Sequence, residues 1–338
     1  MRNVIPISCV VAIAAVITGV KLTRHTVARE PIVWYGNAVH PYIAEVRSGV
    51  EAFARDAGIA IHCTVGQEWT QDNQNVNVEA LSTQGYRAFS LYPGDPAGAN
   101  GLFKLLRSRG QHVVVFGAEP SLPTPAPFTI ATDVKGAAMT ATEELIRLLG
   151  GRGRILNVLE AVTDVNTRKR DEGVREVVAR HPGVEIVQTI SDMIQLGEAT
   201  TKIQSALAAR ADEIDGLIAT GFNPTVAAAA ILTEWHKDPN HKRLRFVGID
   251  TDATVLQAIR AGGIDATIAQ NPFGHGYISC AILKLLNDGW TPRREYQFID
   301  AGIVVVTRTN LDTFPADVRA VTQRLVAELK TKYLNPPR

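Results

Sequence analysis

The chain predicts an α/β protein built from two doubly wound parallel sheets, and three observations carry that expectation. Its 338 residues exceed the usual size of one hydrophobic core and point to about two domains. From residue 31 onward, short apolar runs alternate with amphipathic stretches at helical spacing, the pattern of strands joined by crossover helices. The runs also fall into two similar series of about five, so two lobes are expected rather than one wide sheet.

The first series comprises residues 32–35, 59–64, 88–91, 112–116 and 128–131. Between its first two members lies a helix over 43–57, with Val46, Val50, Phe53 and Ala54 at helical spacing. Prolines at 123, 125 and 127 make a stiff extended connector before the fifth run. A helix over 136–149 leads into the second series, 154–159, 185–190, 216–220, 244–249 and 264–269. A helix over 253–261 is closed by Gly262-Gly263, and another follows over 273–287. A strand at 301–307 and an amphipathic helix over 315–333, with Val318, Val321, Leu325 and Leu329 on one face, complete the chain.

Composition narrows the function. An apolar content of 46% and a charged content of 20% are ordinary for a globular protein and exclude large-scale disorder. A formal charge of +1 leaves no electrostatic footprint for nucleic acid. Arg2, the uncharged and mostly apolar run 4–20 and the small-residue site Thr26-Val27-Ala28 describe a secretory signal peptide over 1–28. Its structural alternative is an uncleaved anchor, since ~17 residues lie near the lower limit for spanning a bilayer. Cleavage would leave 32 Lys+Arg against 34 Asp+Glu, a formal charge of −2. Cys9 would leave with the signal and lacks the small-residue context of a lipidated cysteine. Cys63 and Cys280 are expected as buried thiols.

Several chemistries find no motif. Gly150-Gly151-Arg152-Gly153 precedes a strand instead of opening a helix, so it is no dinucleotide fingerprint. His236 and His241 flank a Pro-containing turn and share no helical face, so no metal site is expected. No P-loop or G-x-S-x-G sequence is present. No cofactor is expected.

The stretch FVGIDTDATVLQAIRAGGIDATIAQNP, residues 246–272, is the most telling. Two buried strands in it end on polar side chains, Asp250 and Gln270. Ligands of open α/β sheets sit beyond the carboxyl ends of the strands, so these two groups read as parts of one site. A carboxylate accepts hydroxyl hydrogen bonds strongly, and an amide both donates and accepts. The bland reading of Asp250 is a cap for the following helix, which Asp252 could supply equally well.

This stretch resembles the FDG…ATIAQ segment of periplasmic sugar-binding proteins of the ribose/galactose type. HPYIAEVRSGVEAFARDAG, TRKRDEGVREVV and GLIATGFNPTVAAAA resemble further segments of that family, and the likeness covers nearly all of the chain after residue 28. It implies a type I periplasmic binding protein fold, with a hinge crossed three times near Thr132-Asp133, Gln270-Asn271 and Asp300. The lobes would be 29–132 plus 271–299, and 133–270 plus 300–338 with the final helix. The resemblance places an aromatic ring and a polar group near His40 and Tyr42, a sugar-binding arginine at Arg170, and a polar residue at Asn223, with Phe222 as its alternative. The competing readings are helix-start packing for Tyr42, a solvated basic face for Arg170, and an N-cap for Asn223. One departure stands out: where many members carry an Asp-Arg pair, this chain has Phe116-Gly117-Ala118, and only Glu119 could reach the place. Trp69 could supply stacking area instead.

The function so implied is a non-catalytic, monomeric, periplasmic protein that captures a carbohydrate and delivers it to an ABC transporter permease. A ligand-presenting sensor for a chemoreceptor or histidine kinase is the nearest alternative. A two-cysteine racemase or epimerase using Cys63 and Cys280 is the alternative from another class. A repressor effector domain is set aside, because the apolar N-terminal segment leaves no room for a helix-turn-helix.

Overall fold

The computed structural model of the chain describes residues 32–337, so the expected signal peptide lies outside the described residues. The first half runs β1 Ile32–Gly36, α1 Pro41–Ala57, β2 His62–Val65, α2 Gln71–Ser82, β3 Ala88–Leu91, α3 Ala99–Ser108, β4 His112–Phe116 and β5 Phe128–Ala131. Next come α4 Val134–Leu148, β6 Gly153–Val158, α5 Val165–Ala179, β7 Val184–Ile190 and α6 Leu196–Arg210. They are followed by β8 Gly216–Ala219, α7 Phe222–Trp235, β9 Arg245–Ile249, α8 Ala253–Ala261 and β10 Ala266–Ala269. The last segment holds α9 Pro272–Asn287, β11 Thr291–Pro292, β12 Gln297–Asp300, β13 Val304–Thr307, α10 Phe314–Lys332 and β14 Leu334–Asn335.

Two six-stranded sheets result, in the orders β12-β5-β4-β3-β1-β2 and β13-β10-β9-β8-β6-β7. Every pairing in the first is parallel. In the second, only β13 runs antiparallel, against β10. This is the α/β architecture the alternation predicted. Both faces of each sheet are covered, as parallel sheets require. Along β1, Ile32 and Trp34 join a core with α1 and α9, while Val33 and Tyr35 join a second core with α2 and α3. In the other lobe, Leu156 and Val158 face α6 and α7, and Ile155 faces α4 and α5.

The departures from expectation have local causes. β2 begins at His62 rather than 59, because Gly58 takes the left-handed conformation (φ 64°) that closes α1. β10 begins at Ala266 because Gly262 (φ 74°) closes α8, while Ile264 is buried as part of that cap. α4 starts two residues early, with the Asp133 carboxylate accepting the Gly136 N–H at 3.0 Å. β12 was expected only as a crossing. Its Phe298 and Ile299 stand between Gln297 and Asp300, too short an apolar run to read as a strand at a sheet edge.

The final helix requires a correction. It was expected to belong wholly to the second lobe, but it straps both. Val318 and Leu311 pack with Val306 in the second-lobe core, whereas Leu329 and Leu334 pack with Phe273 and Leu286 in the first. β14 then pairs with β11 of the first lobe. Because the helix exposes apolar side chains along its whole length, burying only its first turns would leave Leu325 and Leu329 in water.

α1 and α9 approach backbone to backbone at two glycines. A Cβ on Gly49 would lie 1.9 Å from the Phe273 carbonyl oxygen, and one on Gly276 would lie 2.0 Å from that of Val46. Gly276→Ala should therefore lower Tm by about 3–10 °C in calorimetry, the range for overpacking by one methyl in a chain of this size. Gly101→Ala, where α3 leaves open space, should hold or raise Tm.

Candidate functional site

The carboxyl ends of the two sheets face one another across a cleft with two openings. The larger cavity, about 840 Å³, is bounded by His40 and Tyr42 of the first lobe and by Phe222, Asp250 and Gln270 of the second. The smaller, about 490 Å³, is bounded by Gly117, Glu119 and Thr132 on one side and Lys169 and Arg170 on the other. Gln270 borders both, so it stands at their junction.

Asp250 follows β9 with φ at 84°, a left-handed conformation uncommon for a residue other than glycine. Two hydrogen bonds to β10 fix it there. Its N–H donates to Ile268 O at 2.8 Å, and its carbonyl accepts from Thr267 Oγ1 at 2.8 Å. The carboxylate thereby turns toward β10 and accepts from Gln270 Nε2 at 2.5 Å. Burial raises its pKa, opposed by the Gln270 hydrogen bond and by the charge of Arg170. The α8 cap is supplied by Asp252, whose Oδ1 accepts from Thr254 N at 2.7 Å. Asp250 is not a cap.

Arg170 projects from α5 with a buried Nε that has no hydrogen-bond partner. Its neighbours are committed elsewhere. Arg168 donates to the carbonyls of Val162 and Thr163, at 2.9 and 2.8 Å. Lys169 lies 3.5 Å from the Glu119 carboxylate, across the cleft, and Glu119 also accepts from Tyr296 Oη at 2.7 Å. Glu119 is therefore engaged at the first-lobe rim rather than free to replace an Asp-Arg pair.

Glu160 was not anticipated. It follows β6 at a strand end, as Asp250 follows β9, and that shared signal could have found it. Its carboxylate accepts the Asn223 N–H at 3.3 Å and packs on Gly221, where a Cβ would meet Glu160 Cγ at 2.2 Å. Burial raises its pKa; Arg170 opposes the shift and Asp250 adds to it. Two carboxylates thus share the field of one guanidinium.

Asn223 does not cap α7. The N-cap is Gly221, and the Asn223 amide donates to Ile194 O at 2.8 Å, tying down the loop before α6. Its side chain is spent on the scaffold, and of the two residues at this strand exit it is Phe222, 48% exposed, that borders the cavity. His40 caps α1, its Nδ1 accepting from Tyr42 N at 3.1 Å. Trp69 packs edge-on against His40 and Tyr92, with centroids 6.0 and 4.9 Å away, and so backs the rim without bordering either cavity.

The thiols lie apart from this chemistry. Cys280 is buried and Cys63 half-buried, both free, in the first-lobe core. Burial pushes the Cys63 pKa up to about 11 and raises that of Cys280, so neither supplies a thiolate at neutral pH. Among the described residues no group of three or more His, Cys, Asp or Glu side chains could hold a metal ion.

A periplasmic binding protein domain matches residues 32–289. A relative in Rhizobium meliloti named for rhizopine binding is 26% identical over 279 residues, covering 80% of this chain and 87% of its own. A xylitol-binding protein of Mycolicibacterium smegmatis is 22% identical, covering 84% of this chain and 78% of its own. Among solved structures, a periplasmic ribose ABC transporter protein of Conexibacter woesei superposes with a TM-score of 0.74 at 17% identity, over 85% of this chain and 95% of that one, a likeness of fold. The chain belongs to the periplasmic binding protein family, a family of non-enzymatic solute-binding proteins.

Proposed function

We propose that this protein is exported to the periplasm, captures a sugar or polyol between its two lobes, and delivers it as a monomer to an ABC transporter permease. The observation that carries this reading is the Asp250–Gln270 pair at adjacent strand ends, facing an arginine with an unpartnered Nε. A carboxylate, an amide and a guanidinium together offer acceptors and donors in the fixed directions that ring hydroxyls need. His40, Tyr42 and Phe222 add apolar and aromatic area for the C–H faces of the ligand. The names of the relatives, which concern xylitol and rhizopine, support small polyhydroxylated ligands.

Ligand capture would move 32–132 with 271–299 against 133–270 with the segment from 300 to the start of α10, a hinge closure of the kind this architecture permits. Transport is favoured over the racemase reading by the placement of both thiols in the first-lobe core. An uptake assay in a deletion strain separates transport from a sensor role, since both would use the same cleft.

Calorimetric titration with xylitol, D-ribose, D-xylose and myo-inositol tests the site. Asp250→Asn is the informative variant, because Asn tolerates the left-handed backbone whereas Ala would add roughly 1–2 kcal/mol of strain. Asn turns one carboxylate oxygen into a donor and removes the charge from the other, so one bond of roughly 1.5–3 kcal/mol is lost and a second weakened, and binding should fall at least about tenfold with Tm nearly unchanged. Unchanged affinity would move the site elsewhere. Gln270→Ala should cost about five- to tenfold, as a neutral hydrogen bond contributes less.

The Glu119–Lys169 pair joins the lobes at a partly exposed position, with side chains 30% and 46% exposed. Such pairs contribute about 0–1 kcal/mol, so Lys169→Met should weaken binding by no more than about fivefold at low salt. The difference from wild type should vanish near ~1 M NaCl, where screening acts over ~3 Å. A loss that persists at high salt would mean that Lys169 touches the ligand.

A further inference from the structure

A buried pair behind the first-lobe wall sets the hydrogen-bonding direction of that wall. The Tyr42 hydroxyl lies 2.9 Å from Nδ1 of His275, which projects from α9. His275 is 3% exposed, and its Nε2 has no partner. Burial lowers its pKa to about 3, so the ring is neutral at physiological pH.

A neutral imidazole carries one N–H and one lone pair. With the proton on Nε2, a buried N–H would lack an acceptor; with the proton on Nδ1, the unpartnered atom is only a lone pair. Orphaned buried N–H groups are the rarer of the two. The second tautomer therefore fits the surroundings, and it makes the Tyr42 oxygen an acceptor. The Tyr42 proton then has no acceptor among the described residues other than the ring that already donates to it.

The position of that hydroxyl says where the proton can go. A Cβ placed on Gly117, at the end of β4, would lie 2.3 Å from the Tyr42 oxygen and 2.6 Å from the Tyr92 ring. Tyr42 borders the larger cavity and Gly117 the smaller, so the hydroxyl stands at the first-lobe seam between them. With φ at 80° and no Cβ, Gly117 leaves room for this hydroxyl where a larger side chain would displace it.

We infer that His275 is a positioning residue: it donates through Nδ1 to the Tyr42 oxygen and so reserves the Tyr42 O–H as a donor to a ligand oxygen. The first lobe then presents a neutral donor opposite the acidic second-lobe wall. It selects ligands that bring a hydroxyl, ring or ether oxygen to Gly117, and it disfavours an ammonium there. The inference rests on the proposed ligand site, but one arm of its test does not.

Two-bond ¹H–¹⁵N correlation spectra of the ¹⁵N-histidine-labelled protein, with the His275 signals assigned by their loss in His275→Gln, report the tautomer without ligand. A protonated Nδ1 and unprotonated Nε2 are expected; the reverse overturns the proposal. Calorimetry with xylitol and D-ribose supplies the second arm. Tyr42→Phe and His275→Leu should each weaken binding by about five- to tenfold, the loss of one neutral hydrogen bond. The double variant should be no weaker than either single one, because the two act through one proton. His275→Gln, which can still donate to the Tyr42 oxygen, should recover most of the affinity. If His275→Leu lowers Tm but leaves affinity within twofold, His275 is a packing residue and the proposal fails. If wild-type protein binds neither probe, the proposed ligand class fails, and the tautomer still decides the assignment of His275.

Discussion

The molecule depends on how its three inter-lobe crossings are fastened, and two side chains do most of it. Asn271, between β10 and α9, donates through Nδ2 to Ala301 O at 2.7 Å and to Thr322 Oγ1 at 3.0 Å, and accepts from Gly274 N at 2.6 Å. It therefore ties the second crossing to the third and to α10. Asp300 accepts from the N–H groups of Asp133 and Gly302, at 3.0 and 3.1 Å, tying the first crossing to the third. A buried amide whose donors and acceptor are all engaged holds a unique geometry, because any displacement leaves polar atoms unpaired. Gln270 immediately precedes Asn271, so the amide that borders both cavities and the amide that ties the crossings are adjacent residues.

The cleft beside these crossings is chemically lopsided. The second lobe brings Asp250, Glu160 and Arg170 to its strand ends, and burial raises both carboxyl pKa values while Arg170 opposes the rise. The first lobe brings rings instead: Tyr42, with Tyr92 and Trp69 behind it in edge-on contacts. Gly117 joins the two arrangements, since the space its side chain would occupy belongs to Tyr42 and Tyr92. A side chain at Gly117, the first position after β4, would collide with the Tyr42 hydroxyl and the Tyr92 ring. Polar groups line one wall and rings the other.

What could be read from the sequence follows from how local each signal is. β3, β4 and β5 coincide with their apolar runs because parallel strands buried on both faces need nothing else. Strand ends followed by polar residues marked Asp250 and Gln270 as cleft positions, and the same rule applied to β6 would have marked Glu160. Asn223 misled because Asn favours N-caps, while Gly221 had already taken that place with extended backbone. His275 was illegible. It sits within a helix whose buried residues are nearly all apolar or small, and only the fold brings Tyr42, 233 positions away in sequence, to its ring. The double allegiance of α10 was hidden for a related reason: amphipathicity shows that a face is buried, not which core receives it.

Asp250 and Asp252 show how a short sequence divides structural and functional labour. Both carboxylates lie in the turn after β9, and a helix start needs one of them. Asp252 has extended backbone and takes the cap. Asp250 occupies the left-handed region, held there by its N–H donating to Ile268 O and its carbonyl accepting from the Thr267 hydroxyl, both on β10. Such a conformation costs of order 1–3 kcal/mol and persists only where surrounding structure over-determines it. The cost is spread over β10, whose Ile268 and Thr267 supply the two backbone contacts, and its effect is to aim the carboxylate at Gln270 and the cleft. An aspartate needed only for capping would have no cause to sit there. The strained backbone thus fixes where the Asp250 carboxylate points, beside Gln270 and into the cleft.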